Sequence, residues 1–200
     1  APCAPAGLPY DRYDAAVSAL LPTRGASGGG CGLHAPCPSG DAIQAPASAG
    51  GLVWLSGNDV SLQGGVDILA DGNSGAVTSK PNKSLDVSGG GAGGHILLWV
   101  YGFMMVDPAE PVRLSANGGD IQCTKKQVSG AGGGGFIGIQ YAGTPIAEKA
   151  ISMSYRGGSM RDDCKGWPPQ QGLSTAFGQA GLASTLLPCP AGRSGPFCQL

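Results

Sequence analysis

From Ala49 onward the chain alternates short apolar runs with glycine-, asparagine- and aspartate-rich turns. Gly50-Gly51 leads into Leu52-Val53-Trp54-Leu55. A turn at Ser56-Gly57-Asn58-Asp59 follows, then Val60-Ser61-Leu62, Gly64-Gly65, and Val66 to Ala70, closed by Asp71-Gly72. A second unit starts at Gly93-Gly94, runs through the apolar stretch Ile96 to Val106, turns at Asp107-Pro108 and resumes as Val112 to Ala116 before Asn117-Gly118-Gly119. A third starts at Gly134-Gly135, runs Ile137 to Tyr141, turns around Gly143-Thr144-Pro145 and resumes as Ile151 to Tyr155 before Arg156-Gly157-Gly158. Short runs bounded by such residues read as strands. Aligned on their glycines, the units predict columns of equivalent residues: Val53, Ile96 and Ile137; Leu55, Leu98 and Ile139; Val66, Val112 and Ile151; Ile68, Leu114 and Met153; Ala70, Ala116 and Tyr155. Polar residues such as Asp67, Arg113 and Ser152 fall between them, a period of two that puts one face in and the other out.

The units are introduced by a glycine-rich block that occurs twice, 41 residues apart: Asp86-Val87-Ser88-Gly89-Gly90-Gly91-Ala92-Gly93-Gly94 and Gln127-Val128-Ser129-Gly130-Ala131-Gly132-Gly133-Gly134-Gly135. Gly/Ser-rich sequence is often a flexible linker, but recurrence at a fixed offset before a similar strand points to stacked repeats. A phosphate cradle is a poor fit, since neither block ends in the Lys-Ser/Thr of a P-loop or opens a helical pattern. The blocks read as tight segments that let one repeat lie on the next, with Val87 expected over Val128. The fold class expected is all-β: a parallel β-solenoid of about three coils, with a weak echo at 178–185 as a last partial coil.

Composition changes this picture little. Glycine (37) and proline (16) make up about a quarter of the 200 residues, yet 42% are hydrophobic, which favours a folded, turn-rich β protein over disorder. Charged residues are 12% and the net charge is −1; Lys and Arg are few and scattered, which argues against nucleic acid as a partner and against electrostatic membrane binding. The apolar run 96–106 is too short to span a bilayer. No signal peptide is visible before Ala1-Pro2-Cys3, so a processed form or a segment of a longer protein is expected. Three regions are expected: an irregular Cys/Pro/Gly-rich cap or linker over 1–45, with a possible short helix from Asp11 to Leu21; the repeat region over 46–186; and a terminal disulfide loop over 187–200.

The seven cysteines are Cys3, Cys31, Cys37, Cys123, Cys164, Cys189 and Cys198. Their spacing is unlike a zinc ribbon and fits disulfides in an oxidising compartment. Cys123 and Cys164 each follow a Gly-Gly turn, so they are predicted to sit on adjacent repeats and to be bonded. Cys31 and Cys37 are candidates to close a Gly-rich loop, and Cys3 is the expected odd thiol, with a partner on missing sequence or another chain. The tail Cys189-Pro190-Ala191-Gly192-Arg193-Ser194-Gly195-Pro196-Phe197-Cys198 resembles the last disulfide loop of an EGF-like module and the start of ephrin-receptor-like cysteine repeats. That resemblance pairs Cys189 with Cys198. Glycine-rich repeats followed by such a loop look like large secreted or surface glycoproteins of protists and algae, mastigoneme-like filament proteins among them. The resemblance implies an extracellular, glycosylated, disulfide-linked fibre or coat subunit.

Candidate chemistry is thin. Polysaccharide lyases and hydrolases need clustered carboxylates, whereas Asp67, Asp71, Asp86 and Asp120 fall at strand ends or turns, where aspartate favours local hydrogen bonding; Asp162-Asp163 is the one adjacent pair. His34 and His95 have no partner motif, and neither a Gly-x-Ser-x-Gly elbow nor a His-Glu-x-x-His motif is present. Structural calcium has candidate positions at Asp71 with Asn73 and at Asp162 with Asp163, but no EF-hand pattern. No catalytic, cofactor or metal residues are assigned. Asn82-Lys83-Ser84 is an N-glycosylation acceptor, and Trp99 is more readily a packing residue than a sugar platform. The expectation is a non-enzymatic structural component of an extracellular filament, appendage or surface coat, partnered by copies of itself, other subunits and glycans. Adhesion or carbohydrate binding is the alternative, and a polysaccharide lyase or hydrolase the second.

Overall fold

The structure is a computed structural model that describes residues 47–79, 85–107, 109–124, 128–141, 150–160, 164 and 180–185. Eleven strands and no α-helix occur among the described residues: β1 (Leu52–Gly57), β2 (Val60–Leu62), β3 (Asp67–Leu69), β4 (Val77–Ser79), β5 (Leu85–Val87), β6 (His95–Val100), β7 (Met104–Val106), β8 (Val112–Ser115), β9 (Phe136–Tyr141), β10 (Ile151–Ser154) and β11 (Leu182–Thr185). Three sheets are parallel: β1-β6-β9-β11, β10-β8-β3 and β2-β7; β4 and β5 form an antiparallel pair.

The registers are those of the repeat. Val53 lies opposite Ile96 and Ile96 opposite Ile137, while Leu55, Leu98 and Ile139 follow two residues on. In the three-stranded sheet Ile68, Leu114 and Met153 form one row and Asp67, Arg113 and Ser152 its outward neighbour. The inward rows make the main core, in which Ile96, Leu98, Val112, Leu114, Ile137 and Ile139 are buried and Val53, Val66, Ile151, Met153 and Tyr155 pack at its margins. A branched or long aliphatic residue at every second position builds this core, because one strand face is removed from water and equivalent residues meet across each pairing. Strand β6 departs from simple alternation: its outward Leu97 and Trp99 are buried as well.

The solenoid expected from the sequence is not formed. The strands sort into separate small sheets, none of them closed, and no continuous coil wall results. Two features explain this. First, each repeat turns back on itself. Val77 pairs antiparallel with Val87, and Cys123 makes an antiparallel bridge to Val128, so Val87 and Val128 each belong to their own hairpin-like reversal instead of continuing a winding chain. Second, the glycine blocks are not strands. Their hydrogen bonds recur at every third residue: Gly94 and Gly91 donate to the carbonyls of Ala70 and Asn73, and Gly135 and Gly132 donate to those of Ala116 and Gly119. The descending partner numbers mean these neighbours run in opposite directions. Gly90 and Gly93, by contrast, donate to Gly130 and Gly133, so the two blocks themselves run in the same direction. A three-residue period is that of an extended left-handed helix, in which backbones with glycine at the crowded positions can lie against one another. A Cβ at Gly91 would come 2.6 Å from the Ser48 carbonyl carbon and 2.9 Å from the Ala49 nitrogen, both backbone atoms. The irregular cap and terminal EGF-like loop of the expected architecture, residues 1–45 and 187–200, lie outside the described residues.

A second, smaller core collects Ile121, Val128, Ala131 and Cys164, with Cys123 and Met160 packed against it. The Cys123–Cys164 disulfide runs through it, with a Cα–Cα separation of 5.7 Å. The predicted pairing is therefore present.

Candidate functional site

Each repeat is tied to the next by an acidic or amide side chain that accepts from the following repeat's backbone. Asp59 Oδ1 accepts from Phe103 N at 2.8 Å, Asp71 Oδ1 from Asn117 N at 2.6 Å, Asn117 Oδ1 from Arg156 N at 2.8 Å and Asp120 Oδ1 from Ser159 N at 2.8 Å. Serine hydroxyls complete the ladder: Ser115 Oγ donates to Asp71 Oδ1 and Ser154 Oγ to Asn117 Oδ1. Charge-assisted bonds to backbone N–H are stronger than neutral ones, and here they satisfy amides at strand ends, where the sheet ladder stops. The sequence assigned Asp67, Asp71 and Asp120 to local bonding. The structure differs: the bonds of Asp71 and Asp120 cross between repeats, at sequence separations of 39 to 46, and Asp67, inside β3, is held by the Arg113 guanidinium at 2.8 Å on the exposed face of the three-stranded sheet.

The same bonds bear on calcium. Asp71 Oδ1 is engaged by Ser115 and Asn117, and Asn73 Nδ2 donates to Ser48 Oγ at 2.7 Å. Among the described residues no three His, Cys, Asp or Glu side chains converge on a point that would hold a metal ion. Asp162 and Asp163 lie outside the described residues, as do His34, Asn82, Cys3, Cys31, Cys37, Cys189 and Cys198. His95 is buried, its ring centroid 6.3 Å from that of Phe136, and burial pushes its imidazole below the ordinary histidine value because the charged form loses hydration. Trp99 is buried too and meets Trp54 edge to face, with ring centroids 5.5 Å apart, which is a packing geometry.

The surface that stands out is the end made by the first repeat. β1 and β3 are edge strands of their sheets. Along β1 the first repeat is more open than its equivalents in β6 and β9. Leu55 is 39% exposed, whereas Leu98 and Ile139 beside it in the same row are each 1%. Leu52, Trp54 and Leu69 are exposed as well. The β1 sequence, Leu-Val-Trp-Leu-Ser-Gly, holds no charge and no proline, the devices that normally protect an edge from pairing with another chain. Residues 47–79 carry Asp59, Asp67 and Asp71 and no Lys or Arg, so the end is apolar on its strand edge and acidic around it. A second exposed group, Tyr101, Phe103 and Met105, lies at the corner between β6 and β7. Sequence reasoning missed both surfaces. The alternation that identifies a core row is the same in an end repeat as in a middle one, and the missing charges on β1 were the one available signal.

No helix among the described residues is long and apolar enough to cross a membrane. No protein-family model, no curated protein and no solved structure matches the chain.

Proposed function

We propose that the chain is a structural segment of an extracellular filament, appendage or cell-surface coat, with other subunits as its partners, and not a catalyst. The open, uncharged β1 edge carries the reading: Leu52, Trp54 and Leu55 are exposed there, whereas their register partners His95, Leu97 and Leu98 are buried. An unprotected edge of this kind is a template for strand pairing, and proteins that remain monomeric normally blunt it. The Cys123–Cys164 disulfide, buried at Cys164, is in keeping with an oxidising compartment. Asn82 is the proposed N-glycan acceptor, and Cys3 the thiol left for a covalent link. Electron microscopy of native material tests the reading. Filaments or sheets containing the chain are expected, and monodisperse single particles would refute it.

Carbohydrate binding or adhesion is a second reading, favoured by Tyr101, Phe103 and Met105, which are 43%, 64% and 57% exposed. Aromatic faces at a surface offer the platform that sugar rings stack on. A glycan array with Phe103→Ala as the control decides it: retention of a defined glycan that the variant loses supports this reading, and no retention removes it.

A further inference from the structure

The two edges of the four-stranded sheet belong to the first repeat and to the last strand, β1 and β11. Every pairing between them is parallel and in one register. Trp54 lies opposite Leu97, Leu97 opposite Gly138 and Gly138 opposite Ser184; Leu52, His95, Phe136 and Leu182 form the row two residues earlier. The two edges of a parallel sheet are not equivalent. One offers the set of N–H and C=O groups that the other needs, so adding a further parallel strand joins opposite ends. The surface β1 presents outward also corresponds, residue for residue, to the one that β6 presents to β1. The same repeat-on-repeat contact already occurs at β1/β6, β6/β9 and β9/β11.

Charge decides between the two ways copies can meet. Joining two first-repeat ends would set Asp59 and Asp71 of one copy against the same two carboxylates of the other, Asp67 being paired with Arg113, and like charges brought together across an interface are unfavourable. At the opposite end the one charged side chain among the described residues 128–160 is Arg156, which follows β10 in the row that Asp71 and Asn117 occupy in the earlier repeats. Among the described residues, then, one end carries carboxylates and the other a guanidinium, which is a complementary pairing.

We propose that a second copy of the chain adds its β11 edge to β1 in parallel, head to tail, with Ser184 of one copy opposite Trp54 of the next. The contact is heterologous and does not close on itself, so it propagates. It rests on the filament reading above and supplies that reading with its interface.

The register provides the test. Within one chain Trp54 and Ser184 are separated by three strand spacings, about 14 Å at the usual ~4.8 Å each, beyond the ~7 Å that a disulfide can bridge. In the full chain, Trp54→Cys with Ser184→Cys is expected to give a ladder of covalent multimers on a non-reducing gel. Reductant should collapse the ladder to monomer, and Cys3→Ala without the added pair, the background in which both pairs are tested, should give none. Leu52→Cys with Leu182→Cys is the second pair, should the loss of Trp54 prevent folding. Sedimentation velocity of the unaltered chain is expected to show larger species as concentration rises, and Leu55→Lys, which puts a charge on the open row, should abolish them. Dimers from Trp54→Cys alone would mean that like ends meet, and would overturn the head-to-tail arrangement. A chain that stays monomeric at all concentrations and gives no ladder from either pair would overturn the interface, leaving β1 covered from within its own chain. Filaments in native material without a ladder would sink this interface and spare the filament reading; the absence of both would sink the two together.

Discussion

Replacing Gly132 with alanine tests the central structural claim, that the glycine blocks pack backbone against backbone. A Cβ at this position would overlap the Gly91 carbonyl oxygen, reach 2.5 Å from the Gly91 carbonyl carbon and 3.0 Å from Ala92 N. Carbon atoms in ordinary contact sit about 3.5–4.0 Å apart, so one block must move by about an ångström. No side-chain rotation relieves the clash, because every atom met is backbone. Overpacking of this kind costs about 1–3 kcal/mol. The shift also strains the bonds that pass through the block, Gly132 N to Gly119 O at 2.9 Å, Gly119 N to Gly91 O at 2.8 Å and Gly158 N to Gly132 O at 2.8 Å. Leaving one such buried donor unpaired adds about 1–3 kcal/mol. The expected loss is therefore about 2–6 kcal/mol, a large part of the ~5–15 kcal/mol by which domains are stable. Urea unfolding followed by tryptophan fluorescence, with the disulfide intact, measures it as a drop in midpoint at unchanged slope. Gly51→Ala is the control: nothing lies within 4 Å of a Cβ there, and the change should be neutral or stabilise by up to ~1 kcal/mol. A Gly132→Ala chain within ~1 kcal/mol of the parent, or a Gly51→Ala chain equally damaged, would refute the backbone bundle.

Three further outcomes follow from the same geometry. Cys123→Ala with Cys164→Ala opens a bridge of sequence separation 41, which loop-closure entropy values at about 4 kcal/mol; the denaturation midpoint should fall accordingly, and peptide mapping of the parent should recover the two cysteines in one linked pair. His95 has its folded pKa lowered by burial, so below the ordinary value of about 6.5 the unfolded chain takes up a proton first. The stability it contributes is complete above that value and is lost as pH falls through the folded one; His95→Gln should flatten that part of a melting-temperature-versus-pH curve, whatever its effect at pH 8. Asn117→Ala removes acceptors for Ser154 Oγ and Arg156 N and the donor to Ser115 Oγ, and should cost about 2 kcal/mol by thermal melting, with faster amide exchange at Arg156.

Much of the sheet structure could be read from the chain because its signals are local and repeated. Val53, Ile96 and Ile137 each lie two residues after a glycine pair, and Ile68, Leu114 and Met153 each four residues before a turn glycine, so aligning the units aligned the rows, and Cys123 and Cys164 were placed by the Gly-Gly turns before them. The glycine blocks were harder. Glycine has no side chain to show which way a residue faces, so a three-residue hydrogen-bonding period leaves no mark in Gly90-Gly91-Ala92-Gly93-Gly94. The reversal at Val77 and Val87 was equally hidden, since the equivalence of Val87 and Val128 in the repeat says nothing of the antiparallel partner that each one takes. The identification of Trp99 as a packing residue follows from its apolar neighbours. The exposure of Leu55 does not, because its own neighbours match those of Leu98; only its place in the end repeat separates them.

The glycine blocks also set how this protein should respond to temperature. Unfolding them exposes peptide groups more than hydrocarbon, and hydrating peptide groups lowers the heat capacity while hydrating hydrocarbon raises it. The heat-capacity increment per residue should therefore fall below the ~12–15 cal/mol/K typical of globular domains. A smaller increment flattens the stability curve and moves cold denaturation further below freezing. Scanning calorimetry of the disulfide-intact chain would show it as a small step between the baselines on either side of the transition, the thermal signature of a protein whose interior is built in part from its own main chain.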